Sequence, residues 1–135
     1  MKKLFICMFI SSVLAGCASK PKYGDFTPAS NLVVDFIAED ATRQLSAIYP
    51  IAHTSFKLDP EISGAMGHAI EEKLRGSGFA VSYIEGNKLN YVFDVLSENH
   101  LRLTLDLSET KMSRLYSSDI DRVETLTKWT VVNKE

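Results

Sequence analysis

The sequence predicts an α+β fold in which two helices pack on one face of a mainly antiparallel sheet. Three observations carry that expectation. Two stretches of the first half, Pro28 to Ile48 and Asp59 to Arg75, repeat their apolar residues at helical spacing. From Phe79 onward the chain alternates polar and apolar residues between short turn signals. Helices first and an antiparallel meander after them is the order that segregates helices to one side of a sheet. A composition of 45% hydrophobic and 24% charged residues is that of an ordinary globular chain.

The chain begins with a different kind of segment. Lys2 and Lys3 precede the apolar run Leu4 to Val13, which closes on Leu14-Ala15-Gly16-Cys17. A basic start, a short apolar stretch and small residues before a cleavage point make a secretory signal peptide. Leu4 to Leu14 is 11 residues, too short to cross a bilayer, which takes about 20. A cysteine directly after Leu-Ala-Gly marks a bacterial lipoprotein: small side chains at Ala15 and Gly16 admit the peptidase, and the Cys17 thiol accepts diacylglycerol. Residues 1–16 are then a cleaved lipoprotein signal peptide, and Cys17 becomes the lipidated first residue. Two or more acyl chains anchor stably where one does not. Ala18 follows the cysteine where aspartate would signal inner-membrane retention, so the expected address is the outer membrane, with the domain facing the periplasm.

What remains after cleavage is 119 residues, enough for one domain. Loss of Lys2 and Lys3 leaves 13 basic against 17 acidic residues, a formal charge of −4. Without a basic block, nucleic-acid binding is not expected. Cys7 leaves with the signal and Cys17 is acylated, so no disulfide is available and stability rests on packing. Residues 17–27 read as a lipidated tether, rich in Ser, Lys, Pro and Gly. Residues 28–135 read as one periplasmic α+β domain.

The first helix takes Thr27 as N-cap and Pro28 as its first residue, and Pro50 stops it. Its apolar stripe is Val34, Ile37, Ala41, Leu45 and Ile48, with Asp35, Glu39 and Arg43 on another face. His53 to Leu58 reads as a short strand. Asp59-Pro60-Glu61 opens a second helix, with Ile62, Met66, Ala69, Ile70 and Leu74 inward and Gly76-Ser77-Gly78 as its left-handed stop. Phe79 to Ile84 is a strand ending at Gly86-Asn87, a hairpin signal. Leu89 to Leu96 puts Leu89, Tyr91, Phe93 and Val95 on one face. His100 to Leu107 turns Leu101, Leu103, Leu105 and Leu107 to the other side of that alternation. Lys111 to Tyr116 follows, then a polar loop over Ser117 to Asp121 and a last strand over Thr127 to Val132.

Chemistry is sparse in this pattern. His53, His68 and His100 have no ligand partner at helical spacing. Glu71, Glu72 and Arg75 are surface pairing residues. Asp94 and Asp106 lie between apolar strand residues and should point outward. No serine sits in a nucleophile elbow, and Gly76-Ser77-Gly78 lacks the lysine of a phosphate loop. No catalytic residue, metal or cofactor is expected beyond the covalent lipid, and no small-molecule substrate. Trp129 is either core or an interface anchor.

A resemblance adds to this. The lipobox, Asp40-Ala41-Thr42-Arg43-Gln44-Leu45-Ser46-Ala47-Ile48-Tyr49-Pro50, Thr54 and Phe56 resemble the TrbH family of conjugal-transfer lipoproteins. So do Leu89-Asn90-Tyr91-Val92-Phe93-Asp94, Leu101-Arg102-Leu103-Thr104-Leu105, Arg114-Leu115-Tyr116 and Trp129 with Val132-Asn133-Lys134-Glu135. The segment from Phe56 to Ile84 also resembles small α/β modules of secretins and secretion-system lipoproteins. The likeness implies a non-enzymatic structural subunit of a type IV secretion, mating-pair formation apparatus, held in the outer membrane by Cys17. Its partners would be other transfer proteins, met at a sheet edge (Lys111 to Tyr116 or the final strand) or around Trp129, Tyr116 and Arg114. The alternative is a periplasmic lipoprotein that binds a lipid or other envelope component in an apolar groove, as a chaperone would.

Overall fold

The structure, a computed structural model, describes residues 21–62 and 64–135. The signal peptide and Leu14-Ala15-Gly16-Cys17 lie outside the described residues. Among these there are two helices, α1 (Asn31–Ile48) and α2 (Ala65–Gly76), and eight strands. The strands are β1 (Gly24–Asp25), β2 (Ser55–Lys57), β3 (Ala80–Ser82), β4 (Asn87–Ser97), β5 (His100–Leu107), β6 (Thr110–Asp119), β7 (Arg122–Thr125) and β8 (Thr130–Asn133). They form one open, mixed sheet in the order β3-β2-β4-β5-β6-β7, antiparallel from β4 onward, with both helices on one face. The α+β expectation holds.

α1 begins later than the caps suggested. Ser30, not Thr27, accepts the Val33 N–H on its Oγ at 3.3 Å. Thr27 and Pro28 belong instead to the crossing from β1 to α1. Val33, Val34, Ile37, Ala38, Ala41 and Leu45 are buried, while Ile48, expected inward, is 43% exposed because it sits in the helix's last turn, past the buried stripe. α2 starts at Ala65, since Asp59-Pro60-Glu61 forms a turn in which the Asp59 carboxylate takes the Glu61 N–H at 2.9 Å. Its C-terminus is a Schellman closure. The Gly78 N–H reaches the Arg75 carbonyl and the Phe79 N–H the Leu74 carbonyl, each at 3.1 Å. Gly78 alone of that glycine pair has positive φ, and Phe79 packs with Leu74 in the core.

Three pairings differ from the expectation. β3 and β4 make no hairpin: β2 lies between them, parallel to both, so β2-α2-β3 is a βαβ unit. The leucines of β5 share the inward face of β4, because Leu107, Leu105, Leu103 and Leu101 stand opposite Leu89, Tyr91, Phe93 and Val95. Val95 itself is 48% exposed. Lys111 to Tyr116 is no edge. β8 covers β6 from Thr110 to Ser113 and β7 covers it from Tyr116 to Asp119. The polar loop expected over Ser117 to Asp121 is the end of β6 and the turn into β7.

The upstream boundary also moves. β1 pairs in parallel with Val92 and Phe93 of β4, and the Phe26 N–H donates to the Phe93 carbonyl at 2.8 Å. The stretch expected as tether is therefore part of the sheet from Gly24.

Candidate functional site

The side chains with most chemistry on them meet in three places. The first joins α1 to β6. Asp40 sits on the inward side of α1, 7% exposed, and faces Arg114 and Tyr116, which alternate with Met112 on the inward face of β6. Arg114 Nη1 donates to both Asp40 oxygens at 3.0 and 2.9 Å, and the Tyr116 hydroxyl donates to Oδ2 at 2.7 Å. Arg114 Nε also donates to the Thr127 carbonyl at 2.7 Å, while the Leu115 N–H donates to Thr127 Oγ1 at 3.1 Å. The irregular step between β7 and β8 is fastened there. Burial first, then the Asp40 carboxylate, pushes the Tyr116 hydroxyl far above the usual tyrosine range, so it remains a donor.

The second place fastens β1. The Asp25 carboxylate accepts the Met66 N–H at the start of α2 at 3.1 Å and the Tyr91 hydroxyl at 2.6 Å. It supplies the cap that Gly64 has no side chain to give. Tyr91 in turn accepts the Gly67 N–H at 3.0 Å. Burial and Asp25 raise the Tyr91 hydroxyl as well. On the opposite sheet face the Tyr23 hydroxyl donates to Asp106 at 2.5 Å, and Lys134 pairs with the same carboxylate. Asp106 is 8% exposed rather than pointing freely outward, and Asp94 pairs with Arg102 on that face.

Burial raises the Asp106 pKa, but Lys134 and Tyr23 outweigh it, and the net shift is downward from 3.8. A carboxyl lowered in the folded state stabilises fully above its unfolded pKa and loses that contribution as pH falls through the folded one. The contacts of Tyr23 and Lys134 should therefore hold at neutral pH and weaken below about pH 4. Amide hydrogen exchange of β1 and β8 across that range checks this; Asp106→Asn should remove the acid-dependent part.

The third place is a cavity of about 250 Å³ between α2 and the sheet, walled by Leu58, Pro60, Ile62, Ile70, Leu89 and Tyr91. Glu71, held below the usual carboxylate range by the Tyr83 hydroxyl and then by Arg75, stands at its rim. His68 lines it too. Among the described residues no group of three His, Cys, Asp or Glu is placed to hold a metal. No described helix is long and apolar enough to cross a membrane.

The structure brings two of the sequence-selected interface residues together, Arg114 and Tyr116, but around Asp40 and inside the fold. Tyr116 is fully buried, so no partner can reach it, and Arg114 is occupied on both sides. Trp129 is half-buried against the core and keeps an open flank. His53, expected to begin a strand, ends a single 3-10 turn (Ile51–His53) ahead of β2, and His100 opens β5; both are exposed. Sequence reasoning missed both ties, Asp40 with Arg114 and Tyr116, and Asp25 with Tyr91. A signal for Asp40 existed: it lies three residues after Ile37 and beside Ala41, so it shares the apolar stripe. Asp25 carried none, because its partners are 41 and 66 residues away.

Buried polar ties between helix, sheet edge and leading segment make this an α+β domain fastened by its own side chains. The family described as conjugal transfer protein TrbH matches residues 20–135, and the chain belongs to that family. No curated protein and no solved structure matches the chain.

Proposed function

We propose that this conjugal transfer protein is a lipoprotein anchored in the outer membrane through Cys17, a structural subunit of the mating-pair formation apparatus of a type IV secretion system. One observation carries the reading: a lipobox, Leu14-Ala15-Gly16-Cys17, stands directly before a domain of the TrbH family. The domain's polar groups are turned to holding its own elements together, which suits a part whose task is position. Trp129 and the exposed Val131 and Val132 of β8, a strand that among the described residues pairs with β6 alone, form the docking side for other transfer proteins. Tyr116 and Arg114 support that side from within.

Replacing Cys17 with serine should release the domain from the outer-membrane fraction and lower conjugal transfer. Full transfer by a released protein would count against the anchored role. The cavity beneath α2 supports a second reading, a carrier of a lipid or envelope component. Organic extraction of the wild-type protein, followed by mass spectrometry, separates the two: a stoichiometric non-covalent lipid favours the carrier.

A further inference from the structure

The helical side of the protein and the open side of its sheet differ in how they handle basic residues. On the helices the basic residues have acidic partners: Lys73 with Asp35, Arg43 with Glu39, Arg75 with Glu71. On the open side of the sheet a set of lysines does not. Lys57 of β2 stands opposite Lys88 of β4. Lys88 shares its face with Asn90, which stands opposite Asp106, and Asp106 stands opposite Lys111 of β6. Direct cross-strand partners and residues two apart point the same way, so Lys57, Lys88 and Lys111 project from one face. Among the described residues none of the three has an acidic partner within ion-pair distance. The nearby Asp106 is already taken up by Lys134 and Tyr23, and Asp59, beside Lys57 and Lys88, accepts the Glu61 N–H.

In a mature chain with a formal charge of −4, such a cluster is out of keeping with the whole. Its place is informative. Tyr23, whose hydroxyl reaches Asp106 in the middle of the cluster, carries Lys22 over its ring at 5.1 Å from the centroid. Tyr23 stands only six positions after Cys17. Fully extended they reach about 20 Å, roughly half the span of a tether running to residue 27. The leading segment thus enters the fold on the lysine-bearing side and keeps that side near whatever holds Cys17.

We propose that this lysine face of the sheet, Lys57, Lys88 and Lys111 with Lys22 beside them, lies against an anionic phospholipid surface and orients the anchored domain. The proposal rests on the anchoring reading for its geometry. The acyl chains supply the affinity, and the lysines decide which side faces the bilayer, leaving the acidic helical side and the β8 edge toward other proteins. Attraction between juxtamembrane lysines and anionic headgroups is short-ranged and screened by salt.

The test is an amine footprint. The full chain, made in bacteria and extracted from membranes, is reconstituted into vesicles of phosphatidylcholine alone or with one third phosphatidylglycerol. Acylation by a succinimidyl acetate reagent is then read residue by residue. Lys57, Lys88 and Lys111 should react several-fold more slowly in the anionic vesicles, with the difference lost at about 0.5 M salt; Lys73 on α2 should not change. Equal reactivity in the two vesicles would overturn the proposal, as would protection by a DNA oligonucleotide instead of by lipid. The mass of the Cys17 peptide is read in the same sample. An unmodified Cys17 would sink the anchoring reading, while the footprint of that unanchored chain, added to the same vesicles, would still decide the lysine face.

Discussion

Asp40→Ala should destabilise the domain by about 3 kcal/mol, the lower end of what is lost when one partner of a buried ion pair is removed. The lower end applies because Arg114 keeps 18% of its side chain in contact with solvent, against 9% for Asp40. The substitution leaves the Arg114 Nη1 and the Tyr116 hydroxyl facing an emptied site under α1, without the carboxylate that both donate to. At roughly 4 °C per kcal/mol for a domain of this size, thermal unfolding should drop by about 12 °C. A second measurement separates the pair from its packing: Arg114→Ala combined with Asp40→Ala should cost much less than the sum of the single changes, with a coupling above about 1 kcal/mol. A loss under about 1 kcal/mol for Asp40→Ala, the range of exposed pairs, would show that α1 is held by its apolar stripe alone.

That pair also marks where sequence reading succeeds and where it stops. The α1 stripe, the alternation of β4 and the glycine stop after α2 were legible, because each is fixed by residues close in the chain; that the β5 leucines share the β4 face was not, because the pairing register sets it. Gly76-Ser77-Gly78 announces a stop, and Gly78 with Phe79 makes it. Partner choice was not legible. Gly86-Asn87 signals a reversal, but nothing local says that Phe56 and Lys57, thirty residues upstream, come between the two strands it joins. β1 was missed for a related reason: Tyr23, Gly24 and Asp25 read as tether by composition, and become sheet only because Val92, Tyr91 and α2 are there to receive them. The same holds for the candidate docking residues. Arg114 and Tyr116 were visible as a motif, yet only the opposing Asp40 shows that the motif looks inward. Trp129 stayed ambiguous because a half-buried indole fits both roles.

Gly86→Ala should be nearly as damaging, and for a reason that belongs to the inserted strand. Gly86 has φ +126°, a conformation that side-chain-bearing residues rarely adopt, and a Cβ there would stand 2.7 Å from the Ser55 carbonyl oxygen. The obstacle is the backbone of β2 rather than a flexible side chain, so relief requires moving a strand whose Phe56 is fully buried. Phe56 packs edge-to-face with Tyr49 and at a tilt with Phe79, at centroid distances of 5.6 and 5.1 Å, so a shifted β2 disturbs the core under both helices. Backbone strain and overpacking together suggest a loss of about 3 kcal/mol. Gly76→Ala supplies the contrast. No atom lies within 4 Å of its would-be Cβ and it ends α2 with ordinary helical backbone, so alanine should stabilise by about 0.5–1 kcal/mol. Urea unfolding of both variants reads the two signs directly. A harmless Gly86→Ala would mean that β2 does not lie against β4 as a parallel neighbour, and the hairpin that the Gly86-Asn87 dipeptide suggests would return as the arrangement to test.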